Sequence, residues 1–160
     1  MMYVNTRQEF PRGREFIEKV RTDLSSCIFT NSIYDQFLKG GSSDFFFAFD
    51  VQGKCVAGAS VELHVQIAAG RMMDVKNLCS SKTCAGAGSG LLKYIESCAR
   101  DNGMDFVGLV STPWANAFYN KQGYVRVAGN LKQSANRAGA TRRKFRRCGQ
   151  FIKRVSKVKK

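Results

Sequence analysis

The sequence predicts an α/β protein: a mixed, mostly antiparallel sheet flanked by helices, in a single domain over residues 1–160. Three observations carry that prediction. At 160 residues and 44% hydrophobic composition, the chain is long enough to bury a core and too apolar to be disordered throughout. Its apolar periodicity switches between the helical and the strand repeat in the order β, α, α, β, β, β, α, β, α, β, β. A run of small residues, Ala85 to Gly90, joins an apolar strand-like stretch to a helical pattern.

The elements follow in order. Tyr3 and Val4 begin an edge strand. Pro11 suits the first turn of a helix, and Phe16, Ile17, Val20 and Leu24 recur at helical spacing with Glu15, Glu18, Lys19 and Arg21 on the other faces. A second helix runs from about Ser32 to Leu38, with Ile33, Tyr34, Phe37 and Leu38 as its apolar set, and Gly40 and Gly41 stop it. Phe45, Phe46, Phe47, Phe49 and Val51 read as a strand buried on much of both faces, turned at Gln52 and Gly53. From Val56 to Ile67 the pattern alternates in part, with Val61, Leu63, Val65 and Ile67 opposite Glu62, His64 and Gln66. Ala69 and Gly70 turn the chain into a strand from Met72 to Leu78. This antiparallel meander feeds the small-residue run.

Beyond the run, Leu91, Leu92, Ile95 and Ala99 recur at helical spacing, with Lys93, Glu96 and Arg100 on other faces, and Asn102 and Gly103 end the helix. Phe106, Val107, Leu109 and Val110 form a strand with too few polar residues for a sheet edge. A helix between two strands implies a right-handed crossover and a parallel pair. Pro113 opens the next helix with Thr112 as N-cap; Trp114, Ala117, Phe118 and Gln122 project together, and Gly123 ends it. Tyr124, Val125 and Val127 start a strand, Leu131 to Arg147 reads as a mobile loop, and Phe151, Ile152 and Val155 pair back as a hairpin.

The small-residue loop is where chemistry is expected. A glycine-rich bend that opens a helix presents unpaired N–H groups and the positive end of the helix dipole, which suits phosphate. Two named phosphate loops are excluded. No glycine is followed by Lys and Ser or Thr at P-loop spacing, and Leu91 stands where a dinucleotide fingerprint needs its third glycine.

Composition narrows the partners. No apolar run approaches bilayer-spanning length, and MMYVNTRQEF has no apolar segment of the kind a signal peptide needs. The cysteines, Cys27, Cys55, Cys79, Cys84, Cys98 and Cys148, show no CxxC spacing, and His64 is the only histidine. No metal site is expected, and the plain reading is an intracellular protein with reduced cysteines. Residues 1–105 hold 12 basic and 12 acidic side chains; residues 106–160 hold 14 basic and no acidic ones, so the last third carries the whole net charge of +14. Such asymmetry suits an anionic partner or a solubilising tail, and places a basic loop and tail at about 131–160.

The pattern G-x-G-x-x-L-L, Gly86 to Leu92, is followed after a strand-like segment by A-x-x-F-Y-x-x-x-G-Y, Ala115 to Tyr124. This pairing resembles the GNAT superfamily of acyl-CoA-dependent N-acyltransferases, and the element order is similar along nearly the whole chain. The resemblance implies that acetyl-CoA is the co-substrate. Its pyrophosphate would lie on the backbone of Thr83, Cys84, Ala85, Gly86, Ala87, Gly88 and Ser89, and its pantetheine arm would pair with Leu78, Cys79 and Ser80. Thr83 stands where the family has Gln or Arg, with Lys82 beside it as a flexible point charge. The family's Asn before the later helix falls near Thr112, and Asn116, one turn on, is its candidate substitute. Tyr119 matches the tyrosine that protonates the leaving thiolate. For the general base, Glu62, His64 and Asp74 on the central strands are the candidates, acting directly or through a water.

The reading that results is an acetyl-CoA-dependent N-acetyltransferase, a monomer or homodimer, whose acceptor is a small-molecule amine or a protein lysine or N-terminus. The alternative from a different class is a basic nucleic-acid-binding protein on a GNAT-like scaffold, motivated by Thr83 and by the run RRKFRR, Arg142 to Arg147. A third use of Lys132 to Arg147 is to reach back to the phosphates of CoA.

Overall fold

The computed structural model describes residues 1–6, 13–40, 43–127 and 149–156. Pro11, Gly41 and the basic stretch 131–147, each given a role above, lie outside the described residues. Among the described residues there are seven strands: β1 (Met2–Asn5), β2 (Ser43–Phe49), β3 (Cys55–Ile67), β4 (Gly70–Ser80), β5 (Phe106–Ser111), β6 (Val125–Arg126) and β7 (Gly149–Arg154). Four helices are described beside them: α1 (Arg14–Asp23), α2 (Thr30–Lys39), α3 (Ala87–Asp101) and α4 (Asn116–Lys121), the last entered through a 3-10 turn, Pro113–Ala115. The strands form one mixed sheet in the order β1-β2-β3-β4-β5-β7-β6. The expected element order and the α/β class are therefore observed.

Contacts group the chain into two compact units. The first takes Met1–Leu63 and Val75–Ser97; the second takes His64–Asp74 and Cys98–Lys160.

In the first unit, β2 pairs antiparallel with β1 and with β3. Its phenylalanines alternate. Phe45, Phe47 and Phe49 join Ile17, Val20, Leu24 and Ile33 of the α1–α2 segment in one cluster. Phe16 sets its ring edge-on to Phe47 at 5.3 Å, and Phe37 does the same to Phe45 at 5.1 Å. Phe46 points the other way and meets Tyr94 of α3 at 6.0 Å. The run of phenylalanines is thus explained by a strand covered on both faces, each fully buried ring contributing about 1.5–3 kcal/mol. Val51, expected in the strand, is 97% exposed in the turn that follows it. That turn is closed by Asp50, whose Oδ1 accepts from the amides of Gln52 and Lys54, both at 2.9 Å, so the chain leaves the sheet before Val51.

On α3, Leu91, Leu92, Ile95 and Ala99 are fully buried, as their spacing required. Glu96, expected on an outer face, is also buried; it falls four residues after Leu92 and so on the same stripe. The helix ends at Gly103, whose left-handed φ of 74° stops it.

In the second unit, β7 pairs antiparallel with β5 from Phe106 opposite Arg154 to Ser111 opposite Gly149, and with β6 at Val125 opposite Ile152. The expected hairpin exists, and β7 also lies between its partner and β5. That makes β5 an interior strand, in line with its apolar composition. Asp105 anchors the segment: its Oδ2 accepts from the Arg71 amide at 3.0 Å, and its carbonyl accepts from Val155 at 2.9 Å.

Two expectations about local geometry need correction. His64 has a φ of 57°, the one described non-glycine residue in the left-handed region. That interrupts the pleat of β3, so Glu62 and His64 do not continue one alternating face. Trp114, expected in one helix with Ala117, Phe118 and Gln122, lies instead in the 3-10 turn Pro113–Ala115 and is 75% exposed. The 3-10 turn rotates its residues faster than an α-helix does, which puts Trp114 out of register with Phe118.

Candidate functional site

The loop from Ser81 to Gly86 leaves β4 and enters α3 at Ala87. Its first bend is held by local hydroxyls. Ser81 Oγ and Thr83 Oγ1 lie 2.8 Å apart, the Thr83 amide donates to Ser81 Oγ, and the Ser81 amide donates to the Val56 carbonyl at 2.8 Å. Its second bend is Gly86, at φ +81°, a conformation glycine reaches without the penalty of a side chain. The Ala87 amide is used by the Cys84 carbonyl, and the Gly90 amide by the Gly86 carbonyl at 2.9 Å. No backbone acceptor among the described residues takes the amides of Gly88 and Ser89. Ser89 Oγ turns back to the Gly86 carbonyl at 3.1 Å and braces the turn. Thr83, Ala85 and Gly86 are exposed, Cys84 and Ser89 are half-buried, and Ala87 and Gly88 are buried. A helix start of this build concentrates partial positive charge on open N–H groups, the arrangement that suits a diphosphate.

One residue here was missed from the sequence. Tyr3 of β1 stacks on Tyr94 of α3, ring centroids 5.1 Å apart and 15° from parallel. Its hydroxyl comes so near Gly90 that a methyl group there would collide with it. The third glycine of the run thus serves packing: it lets β1 close against the first turns of α3. Only the glycine itself was a signal for this.

Upstream, Leu78 is half-buried, Cys79 buried and Ser80 exposed at the end of β4. Cys79 is joined by a disulfide to Cys27 in the α1–α2 connection, 52 residues away in sequence. This departs from the expected reduced cysteines; a spacing of that length carries no local motif. Cys55 remains a thiol, and burial pushes it up to about 12, so it stays protonated. Glu62 is not isolated: its Oε2 lies 3.2 Å from Lys76 Nζ.

In the second unit, Asp74 is half-buried on β4. Thr112 has the extended backbone of an N-cap, but its side chain makes no capping hydrogen bond; the Ala115 amide reaches its carbonyl instead. Asn116 and Tyr119 lie three residues apart on α4. Asn116 Oδ1 is buried with no hydrogen-bond partner among the described residues, an acceptor that a ligand N–H would satisfy. Tyr119 is 8% exposed and packs against Tyr124 and Phe151 at 6.0 and 6.2 Å. Burial pushes its phenol up to about 12. The group therefore holds its proton at any physiological pH and can act as a proton donor but not as a base.

Among the described residues no group of three or more His, Cys, Asp and Glu side chains is placed to hold a metal ion. No described helix is long and apolar enough to cross a membrane.

No family model and no curated protein matches the sequence. Solved structures do match. Tetrahymena GCN5 aligns over 97% of this chain and 96% of its own, with a TM-score of 0.66 at 10% identity. An aminoglycoside 6'-N-acetyltransferase solved with coenzyme A aligns over the whole of both chains, with a TM-score of 0.65 at 12% identity. An aminoglycoside 6'-acetyltransferase type Ii covers 99% of this chain and all of its own, at 0.65 and 16%. At such identities the likeness is one of fold: the chain has the fold of the GNAT acetyltransferases.

Proposed function

We propose that this protein is an acetyl-CoA-dependent N-acetyltransferase that moves an acetyl group to a primary amine by direct attack. The observation that carries the reading is the open amide end of α3, set behind a left-handed glycine in the loop that follows β4, in a chain of this fold. The backbone from Thr83 to Ser89 takes the pyrophosphate of CoA. Because that cradle is backbone, Thr83 in place of Gln or Arg removes a side-chain contact and leaves the amides. Leu78, Cys79 and Ser80 pair with the pantetheine arm through main-chain groups; in the second unit, Asn116 is the candidate cofactor contact.

The amine arrives as an ammonium and must lose a proton before it attacks. Glu62 and Asp74 are the candidate bases. Attack on the thioester carbonyl gives a tetrahedral centre, the C–S bond breaks, and the departing thiolate takes the proton of Tyr119. At about 12 the buried phenol is a weaker acid than an ordinary alkyl thiol, so it gives up its proton only to a thiolate that is desolvated to a similar degree. The acceptor is a small-molecule amine or a protein lysine or N-terminus.

The test is release of free CoA from acetyl-CoA with a polyamine, an aminoglycoside and a lysine peptide in turn, on the wild type and on Tyr119→Phe. The expected result is release with at least one amine, and a kcat lower by about 10²–10⁴-fold in the variant, the usual scale for one general acid. Absence of release with every amine, together with absence of acetyl-CoA binding, would overturn the reading.

A further inference from the structure

The Cys27–Cys79 disulfide is reachable from one side only. Cys79 is 1% exposed, within the cluster that packs α1 and α2 on β2. Cys27 is half-buried and lines a cleft of about 330 Å³ with Arg21, Thr22, Ser25, Thr30 and Asn31. Among the described residues, every lining side chain other than Cys27 is polar, and Arg21 supplies the charge. Its guanidinium is held over the Tyr34 ring at 4.6 Å, so the positive charge stays at the cleft while its stem is braced.

We propose that this cleft is a thiol–disulfide exchange site, which takes an anionic low-molecular-weight thiol and forms a mixed disulfide on Cys27. The geometry selects the sulfur. A thiolate attacks a disulfide along the S–S axis from the side away from the leaving sulfur, and the cleft opens on Cys27. The thiolate bonds to Cys27 Sγ, the S–S bond breaks, and its electron pair leaves on Cys79, which takes a proton. A second thiolate then attacks the sulfur of the bound thiol, displaces Cys27 as a thiolate and departs as the small-molecule disulfide. Two thiols thus supply the two electrons that reduce the protein disulfide.

The leaving side is prepared. Thr30 Oγ1 donates to the Leu24 carbonyl at 2.6 Å and stands 3.6 Å from Cys79 Sγ. Once Cys79 becomes a thiol, its S–H has a lone pair of Thr30 Oγ1 to point at, so the buried group is not left unsatisfied. Arg21 attracts the incoming thiolate or a carboxylate on the same molecule. Exchange frees the α1–α2 connection, Leu24 to Phe29, from β4. The inference does not depend on the acyl-transfer reading.

The test uses the full chain, purified without reductant and exposed to glutathione or to 2-mercaptoethanol at equal thiolate concentration, then trapped with N-ethylmaleimide and mapped by mass spectrometry. The expected result is glutathione on Cys27, alkylation on Cys79, and exchange with glutathione several-fold faster than with mercaptoethanol. Arg21→Gln, an exposed substitution whose fold circular dichroism can check, should remove that preference and leave the mercaptoethanol rate unchanged. Alkylation of both cysteines before any thiol is added would overturn the proposal. So would an adduct on Cys79, exchange that begins only in denaturant, or an Arg21→Gln variant that keeps the preference.

Discussion

The small-residue loop before α3 and the aromatic cluster around Tyr119 solve opposite problems. The loop, Ser81 to Ser89, is built from backbone. Its side chains are small, its bends are set by Ser81, Thr83 and Gly86, and its product is a pair of open amides at Gly88 and Ser89. The cluster is built from side chains. Tyr119, Tyr124 and Phe151 exclude water from one phenol and push it up to about 12. The lesson is that the two regions should fail differently. The loop should tolerate changes of side-chain chemistry and be broken by changes of shape or backbone. The cluster should tolerate little change at one oxygen atom and accept changes around it.

The largest effect expected from that contrast is on turnover. Tyr119→Phe keeps the ring and removes only the hydroxyl, so kcat should fall by about 10²–10⁴-fold while the KM for acetyl-CoA stays within about two-fold. Steady-state kinetics with any accepted amine reads both numbers, and a fall confined to KM would break the contrast. Next comes packing: Phe47→Ala removes a fully buried ring from the first unit and should cost about 3–5 kcal/mol, read by urea denaturation.

At Gly86, alanine must adopt a left-handed φ, which should cost about 1–2 kcal/mol in the same assay. Thr83→Ala, which leaves every amide in place, should by comparison change the acetyl-CoA Kd by less than about three-fold.

The last effect is alkaline. The ordinary phenol value is 10.0, and in the folded chain Tyr119 stands at about 12. A raised value means that the folded state favours the protonated form. Its stabilisation is present below pH 10 and is lost as the pH rises toward 12. Tyr119→Phe should therefore flatten the loss of stability over that window relative to the wild type, measured as Tm against pH.

Much of this was legible in the sequence because it is periodic or local. The phenylalanines of β2, the stripe Leu91, Leu92, Ile95 and Ala99, and the glycine bend before α3 each follow from spacing within one element. The resemblance carried by Gly86 to Leu92 and Ala115 to Tyr124 was enough to indicate the fold. What the sequence hid was long-range or conformational. The Cys27–Cys79 bond spans 52 residues, and the approach of Tyr3 to Gly90 joins β1 to α3. The left-handed turn at His64 sits inside an alternating apolar pattern whose spacing does not signal it. Trp114 was misplaced because a 3-10 turn and an α-helix look alike over three residues. The pairing of Glu62 with Lys76 likewise needs two strands in register.

Isothermal calorimetry with acetyl-CoA on the wild type and on Gly88→Glu tests the central claim most directly. The substitution places a carboxylate and its bulk at a buried position in the first turn of α3, against the amides proposed to hold the pyrophosphate. The account predicts binding by the wild type at about micromolar Kd and none by the variant, both with the same circular dichroism spectrum. A folded variant that binds acetyl-CoA as tightly as the wild type would contradict it.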